Sequence, residues 1–508
     1  MPASVYQTQD LAQGIVSECH AQFAKLPKHG KPTKKSNGQA EWTILAAIVL
    51  ATPLDENEES WDVECISLAT GSKCLPQGKQ SPKGDLLNDC HAEVLARRGF
   101  NKWCLEQMRF SLQDSGRENN KFKFIGDSAP LSLNGNKRPL FDLVNPKSRF
   151  HLYVSQAPCG DATTASLAQV QSEESRNSFM KGQKTQEISS SYASTGSKRT
   201  REENEGFTLN QPQKHRRVST PETPQIELDS TKPSCIHALD FRRGRIDYDS
   251  VGVLRTKPGR VDSEPTLCMS CSDKIARWNV LGLTSALVAP FLKKPLYLTS
   301  IITKELFDAQ ALSRALVERV RACDCLAAEG DGCSKRLSPH TMDITECHQP
   351  FEFSKEAVTK VVEREGCLLP PVASASSISW IAAETSSTEV LINGCKAGAN
   401  AKKEIKPASR SRLCKLNMLD STLLLWASLK SKIPDLVLPQ IQHLVNQNDR
   451  TGGDNTTLDN FTYGDWKRLD KEYRKARDQL LQTVFKNWVR NDPDLEKFHG
   501  IPKSVPMN

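Results

Sequence analysis

The sequence has no apolar run long enough to cross a membrane and no apolar signal core at its N-terminus. Its longest apolar stretches, Ile44–Ala51 and Leu281–Leu292, have the length of a buried strand or helix. These absences argue against a membrane-spanning or secreted class, and they predict a soluble intracellular protein of the nucleus or cytoplasm. In that setting the 16 cysteines predict free thiols and a few metal ligands, not a disulfide framework.

A strong excess of one charge is also missing. The chain carries 68 basic and 60 acidic residues, which gives a net charge of +8. This mildly basic balance is compatible with a polyanionic partner but does not identify one, because many solvated surfaces carry as much charge. The length of 508 residues allows two to four domains, or one domain with insertions.

Apolar and β-branched runs predict paired strands over Trp42–Leu50 and Val63–Leu68, and Phe150–Val154 predicts a third strand. A helix is predicted over Leu11–Phe23, and the Lys-, Pro- and Gly-rich segment that follows it is predicted to be a loop. Candidate ligands lie at strand ends and helix starts. This order of elements therefore predicts an α/β sandwich with its site at the edge of the sheet.

Two polar segments interrupt the apolar pattern. Residues 166–234 are rich in Ser, Thr, Gln, Glu, Lys and Arg and predict a disordered insertion. Their basic clusters at 198–201 and 214–217 allow a nuclear-localisation signal as an alternative, but solvated disorder is the favoured interpretation. Residues 384–406 predict a second polar loop.

The remaining pattern predicts one domain over residues 1–508, with its core at about 40–165 and 239–490. Residues 417–485 are helical by pattern and dense in Lys, Arg, Tyr and Trp.

The most informative short motif is His91-Ala92-Glu93, at a predicted helix start for which Asn88 or Asp89 would be the N-cap. A neutral imidazole at this point can bind a metal ion, and a carboxylate two residues later can act on metal-bound water. His-x-Glu is half of the zinc nucleoside-deaminase signature. It also recurs by chance, and a solvated helix start is the alternative interpretation.

Two cysteines are candidates to complete a catalytic zinc site, which needs three protein ligands and one open position. Cys159 follows a predicted strand in a Pro-Cys-Gly turn, and Cys271 begins a helix with the Ser270-x-x-Asp273 capping pattern. The residue three positions after Cys159 is Ala162, so the Cys-x-x-Cys of free-nucleoside deaminases is missing here.

Two alternatives concern the other cysteines. Cys268-x-x-Cys271 could be a redox or zinc-ribbon pair, although no second Cys-x-x-Cys is present. A structural zinc is the other alternative, although the spacing matches no usual zinc knuckle and free thiols are the default. Its candidate ligands are Cys323, Cys325 and Cys333, with either His340 or Cys347 as the fourth.

Three motifs together resemble the deaminase domain of the adenosine deaminases that act on RNA. They are Asn88–Glu93, Pro158–Gly160 and Ser270–Asn279, which reads Ser-Cys-Ser-Asp-Lys-Ile-Ala-Arg-Trp-Asn. Further matches are Leu254–Lys257, Ser411–Lys415 and Lys471–Tyr473, so the resemblance covers nearly the whole chain outside the polar segments. It implies a cytidine-deaminase-like α/β/α sandwich with a helical C-terminal extension.

The resemblance implies a role for each residue of the site. His91, Cys159 and Cys271 would hold one zinc ion. Glu93 would be the proton donor and acceptor while water replaces the amino group at C6 of adenine.

The resemblance also implies that the helical extension encloses one inositol hexakisphosphate, since buried cations need a buried counter-charge. The matching positions are Asn88, Arg97, Arg98, Lys274, Arg277, Trp278, Lys415, Tyr463, Lys467, Tyr473, Arg477 and Trp488. Asp89 and Lys274 would relay between this ligand and the zinc site. Arg477 stands where the family commonly has Lys, and a guanidinium still binds phosphate. Viewed alone, the C-terminal positions would be interpreted as a solvated amphipathic face.

The expected RNA substrate is tRNA, because no double-stranded-RNA-binding domain precedes the deaminase pattern. The resemblance implies conversion of the adenosine 3′ of the anticodon in alanine tRNA to inosine, with Lys73 near the phosphate or ribose. The family's base-flipping loop starts within Leu254–Arg260 and is much shortened, which suits a tRNA loop base that is already partly unstacked. An editor of double-stranded RNA and a catalytically inactive RNA-binding homologue are the alternatives.

Overall fold

A mixed β-sheet with helices on both faces forms the centre of the protein, as seen in a computed structural model. The structure describes residues 4–113, 120–125, 141–169, 241–244, 250–257, 263–321, 337–383, 388–399, 404–433 and 461–500. Nearly all of the predicted insertion, from residue 170 onward, lies outside these ranges, as does the start of the shortened loop at 258–262.

The strands are numbered in chain order. They are β1 Ser4–Gln7, β2 Glu41–Trp42, β3 Leu45–Pro53, β4 Ser60–Thr70, β5 Ser72–Cys74, β6 Asp89–His91, β7 Phe122–Phe124, β8 Phe141–Leu143, β9 Arg149–Gln156, β10 Phe241–Arg243, β11 Leu254–Thr256, β12 Leu298–Glu305, β13 Asp343–Glu346, β14 Val372–Ala373, β15 Ser377–Ile381, β16 Glu389–Ile392 and β17 Cys395–Lys396.

The central sheet has the strand order β13-β12-β9-β3-β4-β15-β16-β17, and β1 also pairs with β4. Strands β9, β12 and β13 are parallel to one another, whereas β3 is antiparallel to both β9 and β4. The chain segments that follow β9 and precede β12 carry predicted metal ligands. The first of these ligands, Cys159, comes directly after β9, so it lies at the edge of the sheet where that strand ends.

The helices are also numbered in chain order. They are α1 Leu11–Lys25, α2 Ala92–Gln113, α3 Thr164–Gln169, α4 Cys271–Leu281, α5 Ala309–Ser313, α6 Arg319–Arg321, α7 Lys355–Arg364, α8 Lys415–Lys432, α9 Tyr463–Trp466 and α10 Lys471–Gln482. None of these described helices combines the length and the apolar composition needed to span a membrane.

Strand β3 divides the hydrophobic core into two layers. Ala46, Ile48 and Leu50 pack in the larger cluster, with α2, α4 and α8. Leu45, Ala47 and Val49 point to the other face and pack against α1. This period-2 alternation of wholly apolar residues is what a strand buried on both faces requires.

The predicted α/β class is confirmed, with differences at element ends. The helix predicted over Leu11–Phe23 extends to Lys25, and the strand predicted from Trp42 divides into β2 and β3. Within 384–406, predicted as a polar loop, β16 and β17 add two strands to the sheet. Burial explains this difference, since Leu391 and Cys395 are each only 1% exposed.

Candidate metal centre and active site

Three donor side chains from distant parts of the sequence meet at the edge of the sheet. His91 is the last residue of β6, Cys159 lies in the turn after β9, and Cys271 is the first residue of α4. The His91 Nδ1 atom lies 3.8 Å from Cys159 Sγ and 3.6 Å from Cys271 Sγ. The three predicted ligands are thus brought together as a group that could hold a metal ion.

The spacing of these donors fits tetrahedral zinc. Zinc bonds of about 2.3 Å to sulfur and about 2.0 Å to nitrogen place such ligands roughly 3.6 Å apart. One imidazole and two thiols are a ligand set that zinc prefers, and three ligands leave one position for water. The residues present therefore fit a catalytic zinc ion.

The turn that carries Cys159 depends on a glycine. Gly160 has φ +109°, and a Cβ atom there would lie 2.2 Å from Ser270 Oγ. Ser270 caps α4 as predicted, because its Oγ accepts a hydrogen bond from the Asp273 backbone N–H at 3.2 Å. The close approach of this turn to the helix cap sets Cys159 beside Cys271.

The start of α2 differs from the prediction. The helix begins at Ala92, and Asp89–His91 form β6, which pairs with β5 so that Ser72 lies opposite His91. The predicted N-cap role of Asn88 or Asp89 is therefore wrong. The Asp89 carboxylate instead accepts a hydrogen bond from the His91 backbone N–H at 3.0 Å and takes part in a buried ion cluster.

Glu93 lies in the first turn of α2, next to the donor group. Its side chain is 1% exposed, and Oε2 has no hydrogen-bond partner within the described residues. Burial raises the pKa of the Glu93 carboxyl, and the neighbouring His91 partly offsets this effect. A buried carboxyl with an unused oxygen is suited to exchange protons with a bound molecule.

The alternative metal sites receive less support from the structure. A second donor group of Cys74, Asp89 and His91 exists, but Asp89 is already engaged by two lysines. Cys268 lies outside both donor groups. The proposed structural-zinc ligands Cys323, Cys325 and Cys333 fall outside the described residues. Of the other two, His340 stacks on Tyr297 and Cys347 is buried.

Lys257 is a site residue that the sequence reasoning missed. Its Nζ atom lies 2.8 Å from Asp89 Oδ2 and 3.1 Å from Cys271 Sγ, and its side chain is 3% exposed. Burial opposes the charged form, but Asp89 and Cys271 hold the pKa of Lys257 well above its usual range. The Leu254–Lys257 match contains this residue, but the resemblance implied only the start of the base-flipping loop there.

Replacing Lys257 with Met should destabilise the folded protein. Asp89 would keep only the partner Lys274, and removing one member of a buried ion pair costs about 3–5 kcal/mol. We expect a lower melting temperature in thermal unfolding of Lys257→Met. The exposed pair of Lys360 and Glu356 provides the control, since Lys360→Met should change stability by no more than about 0.5 kcal/mol. Equal melting temperatures for the two variants would contradict this role of Lys257.

A pocket of about 330 Å³ opens onto the donor group. Lys73, predicted to lie near the substrate, is exposed at this pocket, and His91 and Cys159 form part of its wall. Trp42, the last residue of β2, and Ile44, in the segment between β2 and β3, also line it. The pocket is thus both large enough for a small planar group and directly connected to the candidate metal centre.

A second cavity, of about 280 Å³, lies behind the metal centre, and we call it the basic cavity. It is lined by nine of the twelve positions predicted for inositol phosphate, together with Asp89. Those nine are Asn88, Arg97, Arg98, Lys274, Arg277, Trp278, Lys415, Tyr473 and Trp488. Its lining therefore contains five cations and one carboxylate.

The three other predicted positions do not line the basic cavity. Lys467 pairs with Glu496, and Arg477 pairs with Asp478 at 2.8 Å. Tyr463 lies next to the cavity, because Lys415 Nζ is 5.7 Å from the centre of its ring. Their assignment to a ligand stays a prediction.

Burial disfavours the charged forms of the basic side chains that line the basic cavity. It lowers the pKa of Lys415 to about 8 and that of Arg97 to about 10. Arg97 and Arg277 lie against the faces of Trp278 and Trp488, at 4.8 and 5.1 Å from the ring centres. Cations held together in this way form a site for a compact polyanion.

The Asp89 carboxylate connects the two cavities. It pairs with Lys274, which lines the basic cavity, and with Lys257, which contacts the metal-ligand candidate Cys271. Burial opposes ionisation of Asp89, but the two lysines hold its pKa well below the usual range. A continuous path of charged contacts thus links the basic cavity to the candidate metal centre.

Comparison with known proteins identifies the family of the chain. Residues 67–492 match the family model of the adenosine-deaminase (editase) domain. Mouse tRNA-specific adenosine deaminase 1 is 28% identical over 96% of this chain and 99% of its own length. The Schizosaccharomyces pombe protein of the same name is 28% identical over 92% of each chain. Rat double-stranded RNA-specific adenosine deaminase is 32% identical over 54% of this chain and 18% of its own.

These matches span the candidate metal centre, Glu93 and most of the basic cavity, and they confirm the resemblance that the three motifs indicated. The chain belongs to the adenosine-deaminase (editase) family and is an adenosine deaminase.

Proposed function

We propose that this protein is a zinc-dependent deaminase that converts adenosine to inosine in tRNA, at the adenosine 3′ of the anticodon in alanine tRNA. The observation that carries the proposal is the donor group of His91, Cys159 and Cys271 beside the buried, unpaired carboxyl oxygen of Glu93. The names of the relatives that align along nearly their whole length support tRNA as the substrate.

The reaction replaces the amino group at C6 of adenine with an oxygen from water and releases ammonia. When bound by His91, Cys159 and Cys271, zinc would supply Lewis acidity that makes water a nucleophile near neutral pH. The Glu93 carboxylate accepts one proton from the attacking water and delivers it to N1 of adenine. It then accepts the second proton from the same oxygen and delivers it to the amino group, which leaves as ammonia. The raised pKa of Glu93 suits both halves of this transfer, because the carboxyl gains and returns a proton.

The surrounding residues of the site keep it ready for this transfer. The hydrogen bond from Cys271 lowers the pKa of Cys159 well below its usual range, which favours the thiolate that binds metal. Lys257 places a positive charge 3.1 Å from Cys271 Sγ. Lys73, exposed at the pocket, is positioned to contact a phosphate or ribose of the RNA.

We also infer that the basic cavity encloses inositol hexakisphosphate. Five cations with a single carboxylate among them match a compact polyanion better than any apolar ligand. The lowered pKa of Lys415 also supports a bound polyanion, since its negative charge would raise that pKa and restore the charged form of the lysine.

The first test is inosine formation in a panel of unmodified tRNA transcripts, with double-stranded RNA in parallel. We expect inosine beside the anticodon of alanine tRNA and none in the duplex. Editing only in the duplex would replace tRNA with double-stranded RNA as the substrate. No inosine in any RNA from zinc-loaded protein would reject the proposed activity.

A further inference from the structure

Trp42 occupies an unusual place on the wall of the candidate active site. It is half-buried, packs against the main core and also lines the pocket that opens onto His91. Neither the metal centre nor the proton transfer uses this side chain. Within the described residues its indole N–H makes no hydrogen bond. The side chain of this pocket-lining residue is therefore available to a molecule in the pocket.

The backbone holds Trp42 in a fixed position. Strand β2 pairs in parallel with β14, so that Trp42 lies opposite Ala373, and the Ser374 N–H donates to the Trp42 carbonyl at 2.8 Å. On the next residue, the Thr43 N–H donates to the Phe353 carbonyl at 2.9 Å. A ring on such a supported backbone loses little conformational freedom when a ligand stacks on it.

Along the chain, Trp42 is farther than Ile44 from the contacts that lead to the metal centre. Both Trp42 and Ile44 line the pocket, whereas Thr43 between them does not, as alternation along an extended chain requires. The Ile44 carbonyl accepts a hydrogen bond from the Gly71 N–H, and Gly71 is followed by Ser72, which pairs with His91. Ile44 is therefore connected to the metal centre. The Cα atom of Trp42 lies about 7 Å from that of Ile44, since the two residues are two positions apart on an extended chain.

We propose that Trp42 is a stacking platform for the RNA base adjacent to the reacting adenosine. This inference rests on the proposed function and adds a binding subsite to it. An adenine at the metal centre fills the inner pocket beside Ile44, so the neighbouring base reaches the level of Trp42. Any base can stack on an indole. This stacking compensates for the base stacking that the RNA loses when the adenosine enters the pocket.

The test measures binding of an unmodified alanine tRNA transcript to full-length, zinc-loaded protein in a Glu93→Gln background, which separates binding from chemistry. We expect Trp42→Leu and Trp42→Ala to raise the dissociation constant for the tRNA about tenfold. Trp42→Phe keeps an aromatic face and should stay within about threefold of the parent. In the active background, the same substitutions should raise KM while kcat changes by no more than about twofold.

Trp380 provides the matched control. It is also a half-buried tryptophan on a strand of the sheet, and it packs against the second core cluster without lining the pocket. Trp380→Leu should bind RNA like the parent.

If Trp42→Ala does not fold, the stacking role is tested by comparing the RNA affinity of Trp42→Leu with that of Trp42→Phe. Equal affinity of these two variants would overturn the stacking role, even if the wild-type protein forms inosine normally. Unequal affinity with no inosine from the wild type would reject the proposed activity and retain the base-binding role.

Discussion

Glu93→Gln is expected to abolish inosine formation while the fold and the metal content stay unchanged. Gln has nearly the same volume as Glu, so the buried site keeps its packing, but an amide cannot accept and return a proton at these atoms. General acid–base catalysis by one positioned group contributes about two to four orders of magnitude in rate. We expect the upper end of this range, since one carboxyl serves both the attack of water and the departure of ammonia. Glu93→Ala should have the same effect on turnover.

Three measurements on purified Glu93→Gln test this expectation: inosine formation in tRNA, bound zinc by elemental analysis and the melting temperature. Glu106→Gln is the matched control, because Glu106 lies on the same helix, is half-buried and pairs with Lys102 at 3.2 Å. The control should keep wild-type turnover. A Glu93→Gln protein with normal zinc content and more than about one hundredth of the wild-type rate would assign the proton transfer to another group.

The second large effect is expected for Lys415→Glu, which should fail to yield soluble, folded protein. Lys415 is one of the five cations that line the basic cavity. A carboxylate at this position repels a bound polyanion, and the loss of the ligand leaves four cations in the lining with only two carboxylates, Asp89 and the introduced Glu. Uncompensated buried charges of this kind cost several kcal/mol each, which is a large part of the stability of a folded domain. Lys467→Glu is also expected to misfold, but for another reason, because it would place a second carboxylate beside Glu496, the ion-pair partner of Lys467.

This prediction is tested by the ligand content of the wild-type protein and by the solubility of two variants. Mass spectrometry of denatured wild-type protein should find inositol hexakisphosphate in stoichiometric amount. Lys497→Glu is the control on the same C-terminal segment, because Lys497 is 71% exposed and pairs with Asp494 at the surface. The control should be soluble and carry the ligand. Soluble, well-folded Lys415→Glu protein would count against a buried polyanion in the basic cavity.

Much of the fold was predictable because its signals are local. The uninterrupted apolar run of β3 indicates a strand buried on both faces, and the structure places its alternate residues in two cores. The Ser270-x-x-Asp273 pattern indicates a helix start, since both groups of the cap lie within one turn of chain. Motif spacing likewise selected His91, Cys159 and Cys271, whose meeting in space the structure then showed.

Other features depend on contacts between segments that are distant in sequence. The strand Asp89–His91 was predicted as the start of a helix, because its strand character comes from pairing with β5. Strands β16 and β17 lie in a segment whose polar composition predicts a loop. They form because β16 pairs with β15 and β17 in turn pairs with β16. Local composition contains no information about either partner.

By itself, the sequence of this protein determined the α/β class, the metal-ligand candidates and the carboxylate that acts beside them, because each leaves a pattern within a few residues. Only the tertiary structure decided that Lys257 connects Asp89 to Cys271 and that Trp42 lines the pocket. It also decided which of the predicted cations face the basic cavity. The physical reason is that burial and charge pairing arise from chain segments that fold together, and their energies depend on distances that no single segment specifies.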